Sequence, residues 1–337
     1  HKKPSGVWIM AYTTIDKPTD YFETKLYTGN GGTQSITGLD FQPNWVWIKD
    51  RDDTFKHILV DSVRGATKHL ASSSSAAEIT NTANVTSFTS DGFALSSDGN
   101  VNANADKYAS WNWKESADAG FDIVAYTGTG SNRTISHNLG AVPKMMIVKE
   151  RDNANDWKVY HHSIGNGKSL RLDTTAAEGD DSTAWNSTTP TSSVFSVGTS
   201  NAVNRNGGGI IAYLFAEKQG YSKVGSYTGN GNNDGPMIVT GFKPSWVLRK
   251  RTTSETGNWF LNDNKRDGFN GDSSNDALLP NSTTAETDPG RIDLLSNGFK
   301  VRHTDGDINA SGETYIFMAF AENPFVTGSS GVPATAR

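Results

Sequence analysis

The sequence predicts an all-β protein: three tandem β-sandwich domains, jelly-roll-like, of about 100 residues each, with little helix. Three observations predict it. The chain is rich in turn formers, with 34 glycines among 337 residues and abundant Ser, Thr, Asn and Asp. Its apolar stretches are short and alternate with a period of two, as half-buried strands do. And the chain repeats itself: "YTGNGG" begins at Tyr27, "YTGTGS" at Tyr126 and "YTGNGN" at Tyr227, spaced by 99 and 101 residues.

Four further anchors recur in the same order. "FQPNWVWIKDR", "AVPKMMIVKER" and "FKPSWVLRKRT" align on Pro43, Pro143 and Pro244, and Lys49, Lys149 and Lys250 follow at one spacing. Ala-Glu pairs stand at 77–78, 177–178 and 285–286. "SDGFAL" and "SNGFKV" mark the first and third units. "YASWNWKE", "IIAYLFAE" and "YIFMAFAE" close the units at Glu115, Glu217 and Glu322. A period near 100 exceeds the 20–45 residues of a solenoid repeat and is domain-sized. The expected division is an N-terminal arm at 1–21, repeats at 22–119, 120–220 and 221–325, and a C-terminal tail at 326–337. Met10 opens a stretch that would serve as a native start, so residues 1–9 read as foreign or processed.

Within a unit, the opening strand ends in Tyr-Thr-Gly-X-Gly, where glycines permit a tight turn. The next strand is "NWVWIKDR". Trp45, Trp47 and Lys49 share one face, and Val46, Ile48 and Asp50 the other. "FKHILVDSVRG" and "WKVYHHS" read as a third strand. Asp-Gly before an alternating run makes "SDGFALSS" a hairpin signal. The closing strand alternates Tyr108, Ser110 and Asn112 against Ala109, Trp111 and Trp113. The best helical candidate is 62–70, which contains Gly65.

Composition excludes several functions. The formal charge of -5 argues against nucleic-acid binding, which selects basic patches. No run of about 18 apolar residues is present to insert in a membrane. The absence of cysteine excludes disulfides, thiolate zinc sites and cysteine nucleophiles. The N-terminus shows no apolar core of a signal peptide.

Candidate sites were weighed against packing roles. Trp45, Trp246 and Trp113 recur in register with aromatic positions and read as core. Trp157 and Trp259 follow loop segments, and Trp185 sits in the polar stretch "STAWNSTTP"; these three are the expected glycan-stacking residues. The Lys49/Arg51 and Lys149/Arg151 pairs read as solvated strand ends balanced by Asp50, Asp52, Glu150 and Asp152. The alternating Asp98, Asn100, Asn102, Asn104 and Asp106 evoke a calcium loop. However, Ala103 and Ala109 occupy the positions that would need Gly and an acid, so a polar hairpin tip is expected and no metal or cofactor. None of the seven histidines sits in a zinc-protease motif, and no nucleophile elbow occurs. Two carboxylates about 5–10 Å apart would suffice for glycoside hydrolysis. Threefold repetition argues instead for a repeated surface, and no enzyme is expected.

The long stretches "YTGNGGTQSITGLDFQPNWVWIKDR", "SVRGATKHL", "ISHNLGAVPKMMIVKERD", "GYSKVGSYTGNGNNDGPMIVTGF" and "YIFMAFAENPF" resemble tail-fibre-like virion structural proteins of tailed phages. Such proteins are common in marine phages, including those of cyanobacteria. The resemblance runs from about Met10 to Phe325. It implies a location on the virion surface, synthesis in the host cytoplasm, no established enzymatic activity, and no site residues to carry over. The expected partners are other virion structural proteins and a host cell-surface glycan, and fibres of this kind imply a homotrimer. A polysaccharide depolymerase of a tail spike and a capsid or collar decoration protein are the alternative readings.

Overall fold

A computed structural model describes residues 12–253, 256–266, 270, 276–286 and 291–326. The chain is all-β, with four helices of four residues each among the described residues. None of these helices is long and apolar enough to cross a membrane.

Each repeat is two antiparallel sheets. In the first, a six-stranded sheet runs in the order Phe22–Thr28, Lys107–Trp113, Trp45–Asp50, Ile58–Asp61, Lys68–Ala71, Ile79–Thr80. A three-stranded sheet of Gln34–Ile36, Gly92–Leu95 and Val85–Thr89 covers it. The second repeat has the same six-stranded order, beginning Phe121–Thr127, Gly209–Phe215, Met145–Glu150, and a two-stranded cover. The third keeps four strands of the large sheet, Ser222–Thr228, Thr314–Pro324, Phe242–Arg251 and Trp259–Asp263, and a three-stranded cover. The expected alternation holds. Val46, Ile48 and Tyr108 face the cover sheet in a core of their own repeat, whereas Trp45, Trp47, Trp111 and Trp113 face away from it.

That second face explains why the central strands are apolar on both sides. The large sheets of all three repeats turn it toward one another and bury a common core. Trp45 stacks on Tyr213 of the second repeat at 4.5 Å between ring centroids. Trp113 meets Trp246 of the third at 5.6 Å, and Phe215 meets Phe320 at 6.1 Å. Full burial of each such ring is worth roughly 1.5–3 kcal/mol. The molecule therefore has four layers of core: one inside each sandwich, and one shared by the three.

The repeats close into a cycle through equivalent contacts. The amide of Glu78 donates to the carbonyl of Arg151, that of Glu178 to Thr252, and that of Glu286 to Arg51, each at 2.8 Å. The first repeat thus joins the second, the second the third, and the third the first. The repeated Ala-Glu pairs are the residues of these seams.

The Tyr-Thr-Gly-X-Gly segment is shaped by close approach. A Cβ on Gly29, Gly128 or Gly229 would lie 2.0, 2.1 or 2.3 Å from the carbonyl oxygen of Ala103, Arg205 or Ala310. The buried Asn102, Asn204 and Asn309 accept from the amides of Asn30, Thr129 and Asn230 and donate back to the loop carbonyls of Gly32, Ser131 and Asn232. The helical candidate at 62–70 is instead a turn followed by the strand Lys68–Ala71. Gly65 adopts φ +102°, which breaks a helix and suits a turn.

Candidate functional site

The three tryptophans nominated as glycan platforms are core residues. Trp157, Trp185 and Trp259 are 0%, 0% and 1% exposed, which leaves no ring face for a sugar. Trp157 Nε1 donates to the carbonyl of Ala71 in the first repeat, and Trp259 Nε1 to that of Arg171 in the second. Each plugs a neighbour's sheet, and the loop-like sequence before it conceals a seam. Trp185 Nε1 bonds the carbonyl of Lys168, and its ring lies edge-on to Tyr160 inside the second sandwich.

The lysine–arginine pairs are also not solvated. Lys49, Lys149 and Lys250 are fully buried, and their ammonium groups bond backbone carbonyls: Asp50 and Asp53, Glu150 and Asn153, and Thr175. Burial pushes each down to about 8. Arg51 and Arg151 reach across seams rather than to the adjacent acids. Arg51 Nε pairs with Glu286 at 2.6 Å, and Arg151 Nε with Glu78 at 2.9 Å. The carboxylate of Asp98 is engaged by Asn81, Asn84 and Asn100.

One pair of carboxyl groups meets where the first two repeats join. Glu115 is hydrogen-bonded to the buried Asp122 at the junction of the first two repeats, and burial with that partner raises Glu115 to about 7. Among the described residues no cluster of three or more His, Asp or Glu is poised to hold a metal.

A position on the outer half of each large sheet, hollowed into a pit in the second and third repeats, is the site where the repeats agree in backbone and differ in chemistry. Register defines it. Ile58, Lys158 and Phe260 are equivalent, being paired with Ile48, Val148 and Arg249. Leu70, Leu170 and Leu278 pair with Leu59, Val159 and Leu261, which aligns His69, Ser169 and Ala277 on one side and Ala71, Arg171 and Leu279 on the other.

In the first repeat the position holds Ile58, with His69 nearly buried and its Nδ1 unpaired. In the second it is filled by its own ion pairs, Lys158–Asp181 at 2.6 Å and Arg171–Asp156 at 2.9 Å, leaving a pit of about 70 Å³. In the third it opens to about 170 Å³, lined by Phe260, Asn258, Arg291, Asp305 and Asp307, with Ala277 and Leu279. Asn258 donates its amide to Asp307 at 3.1 Å, and Arg291 Nη1 is ion-paired with Asp305. No sequence signal marks this position in one unit alone. Only the alignment of "WKVYHH" with "WFLNDN" sets Lys158 beside Phe260.

A family model described as a domain of unknown function (DUF7483) matches residues 17–324, and the chain belongs to that family. No curated protein matches the chain.

Proposed function

We propose that this member of the family is a non-enzymatic structural protein of a tailed-phage virion. In this reading it is an appendage whose three joined repeats present divergent surfaces to host-cell glycans. One observation carries the reading. The faces turned to the shared core keep aromatic and aliphatic side chains in register, while the outward position changes from Ile and His to Lys and Arg to Phe with two carboxylates. A retained scaffold with a varied rim is how binding surfaces diversify. The resemblance to tail-fibre-like proteins supports the virion location.

The closed cycle of three repeats supports a chain that supplies its own threefold arrangement, in place of the homotrimer expected from fibres. The pairing of Asp305 with Arg291 and of Asp307 with Asn258 supports the non-enzymatic reading over a depolymerase.

The test is labelling of intact virions with antibody to the chain, read by electron microscopy, with adhesion of the purified chain to host cells alongside. Labelled particles and retained cells with no release of reducing ends are expected. Unlabelled particles would overturn the virion assignment, and release of reducing ends would replace it with a depolymerase.

A further inference from the structure

The third repeat departs from its sisters at a place that packing does not explain. Where the first two repeats put Ile48 and Val148 between their sheets, the third puts Arg249, which is 1% exposed. Its Nη2 donates to Asn262 Oδ1 at 2.7 Å, but Nε and Nη1 make no hydrogen bond. No carboxylate lies within ion-pair distance of it among the described residues. A buried guanidinium without an ion-pair partner is costly, and the sister repeats show that an aliphatic residue fills the same position.

The position adjoins the open pit. The Phe260 ring, which lines the pit, lies 5.9 Å from the guanidinium of Arg249 and 5.1 Å from that of Arg291. Arg291 Nε is likewise buried and without an acceptor. Two cations thus flank one wall of a cavity whose remaining polar groups, Asn258, Asp305 and Asp307, already hold local partners.

We propose that the pit of the third repeat is a subsite for one acidic sugar residue, its carboxylate drawn to Arg291 in the lining and to the charge of Arg249 beside the Phe260 wall, and its hydroxyls to Asn258, Asp305 and Asp307. The volume of about 170 Å³ is close to the roughly 150 Å³ that accepts a single benzene ring, so it suits one six-membered ring rather than a chain. The carboxylate would add a counter-charge to that of Asp305, which acts on Arg249 from beyond ion-pair distance. Burial, with the Arg291 charge nearby, holds that guanidinium below its usual range against the pull of Tyr227 and Asp305, and a bound anion would restore it. The second repeat satisfies its pit internally with two ion pairs and is not a subsite.

This subsite rests on the reading of the chain as a glycan-attaching protein, and its test is separate from virion labelling and cell adhesion. The full chain is titrated with D-glucuronate, D-glucose and acetate by saturation-transfer NMR and calorimetry. Glucuronate is expected to bind at least tenfold more tightly than glucose, and acetate more weakly than either. Arg249→Ile, the residue of the first repeat, is expected to lose at least tenfold in glucuronate affinity, and Arg171→Ala in the second pit to lose nothing. Should Arg249→Ile fail to fold, Arg291→Gln carries the same expectation from the surface side. Equal binding of glucuronate and glucose, acetate binding as tight as glucuronate, or unchanged affinity in the arginine variants would overturn the subsite. Cell adhesion with no uronate binding would remove the subsite and leave the parent reading intact.

Discussion

Single residues show how an unusual ionisation state is tied to position. Glu115 and Asp122 meet at the first junction, while the corresponding junction of the next repeat sets Lys223 against Glu217 at 3.4 Å. One junction sets two carboxyls side by side and the other an acid against a lysine. Glu115 rises from 4.5 to about 7, so its protonated form is the one the fold favours. The stability it contributes is full below pH 4.5 and is lost as pH rises through 7. Glu115→Gln keeps a donor to Asp122 and removes the charge. At pH 8 that variant is expected to be more stable than the parent by about 1 kcal/mol, after discounting for the half-exposed site, and to lose the dependence between pH 5 and 8. Glu217→Gln is expected to gain nothing, because it gives up the pair with Lys223. Urea denaturation across that pH range measures both, and a Glu115→Gln protein weaker than its parent at pH 8 would refute the raised Glu115 carboxyl as the source of the slope.

At the scale of elements, the turn after each opening strand is fixed by backbone contact rather than by side-chain preference. Gly128 carries no Cβ because the Arg205 carbonyl oxygen would be 2.1 Å from it. Gly179, in a strand with nothing within 4 Å of its Cβ position, has no such constraint. Gly128→Ala is therefore expected to cost about 1–3 kcal/mol or more, and Gly179→Ala less than about 0.5 kcal/mol. Thermal melts of the two variants compare them directly, and equal effects would disprove the contact argument. This element was legible in the sequence, since three copies of Tyr-Thr-Gly-X-Gly mark a demand on glycine. So was the strand of Trp45 and Trp47, whose two apolar faces announced burial on both sides. What covers the second face was not legible. Trp157 and Trp259 look exposed in sequence because the carbonyls they bond belong to other repeats, about 86 and 88 residues away. The same distance hides Arg51 and Arg151, whose partners Glu286 and Glu78 lie across seams while tempting acids stand next door. The pit of the third repeat was hidden differently: Phe260 and Arg249 are ordinary strand residues until register places them against their equivalents.

At the scale of the whole molecule, the three seams are equivalent in backbone and unequal in chemistry. Between the first and second repeats, Arg64 binds Asp61 and Glu78, Arg151 also binds Glu78, and Tyr213 donates to Asp61. Between the third and first, Arg266 binds Asp263 and Glu286, Arg51 binds Glu286, and Trp111 donates to Asp263. Between the second and third, Ile164 and Thr252 stand where those arginines would be, and His161 takes the place of the aspartate. The His161 Nδ1 accepts from the Ser163 amide, which leaves Nε2–H to face the Phe317 carbonyl at 3.4 Å. His162 stacks beside it at 5.1 Å, faces the Val224 carbonyl, and sits among Lys144, Lys223 and Glu217. Burial, with His162 next to it, pushes His161 down to about 3. Its neutral form is the folded one, so the stability it contributes is full above pH 6.5 and drains away as pH falls toward 3. The common core makes one cooperative transition the expectation at pH 7. Near pH 4.5 the seam between the second and third repeats is expected to have lost about 2–3 kcal/mol, while the arginine–carboxylate seams still hold. Hydrogen exchange at that pH should therefore release the amides paired along Thr314–Pro324 and Ser222–Thr228 before those around Asp61 and Asp263. His161→Gln keeps a donor toward Phe317 without titrating, and should flatten the acid slope and delay that release. Earliest exchange at either arginine seam, or an unaltered slope in His161→Gln, would show that the cycle does not open first where its two guanidinium clamps are missing.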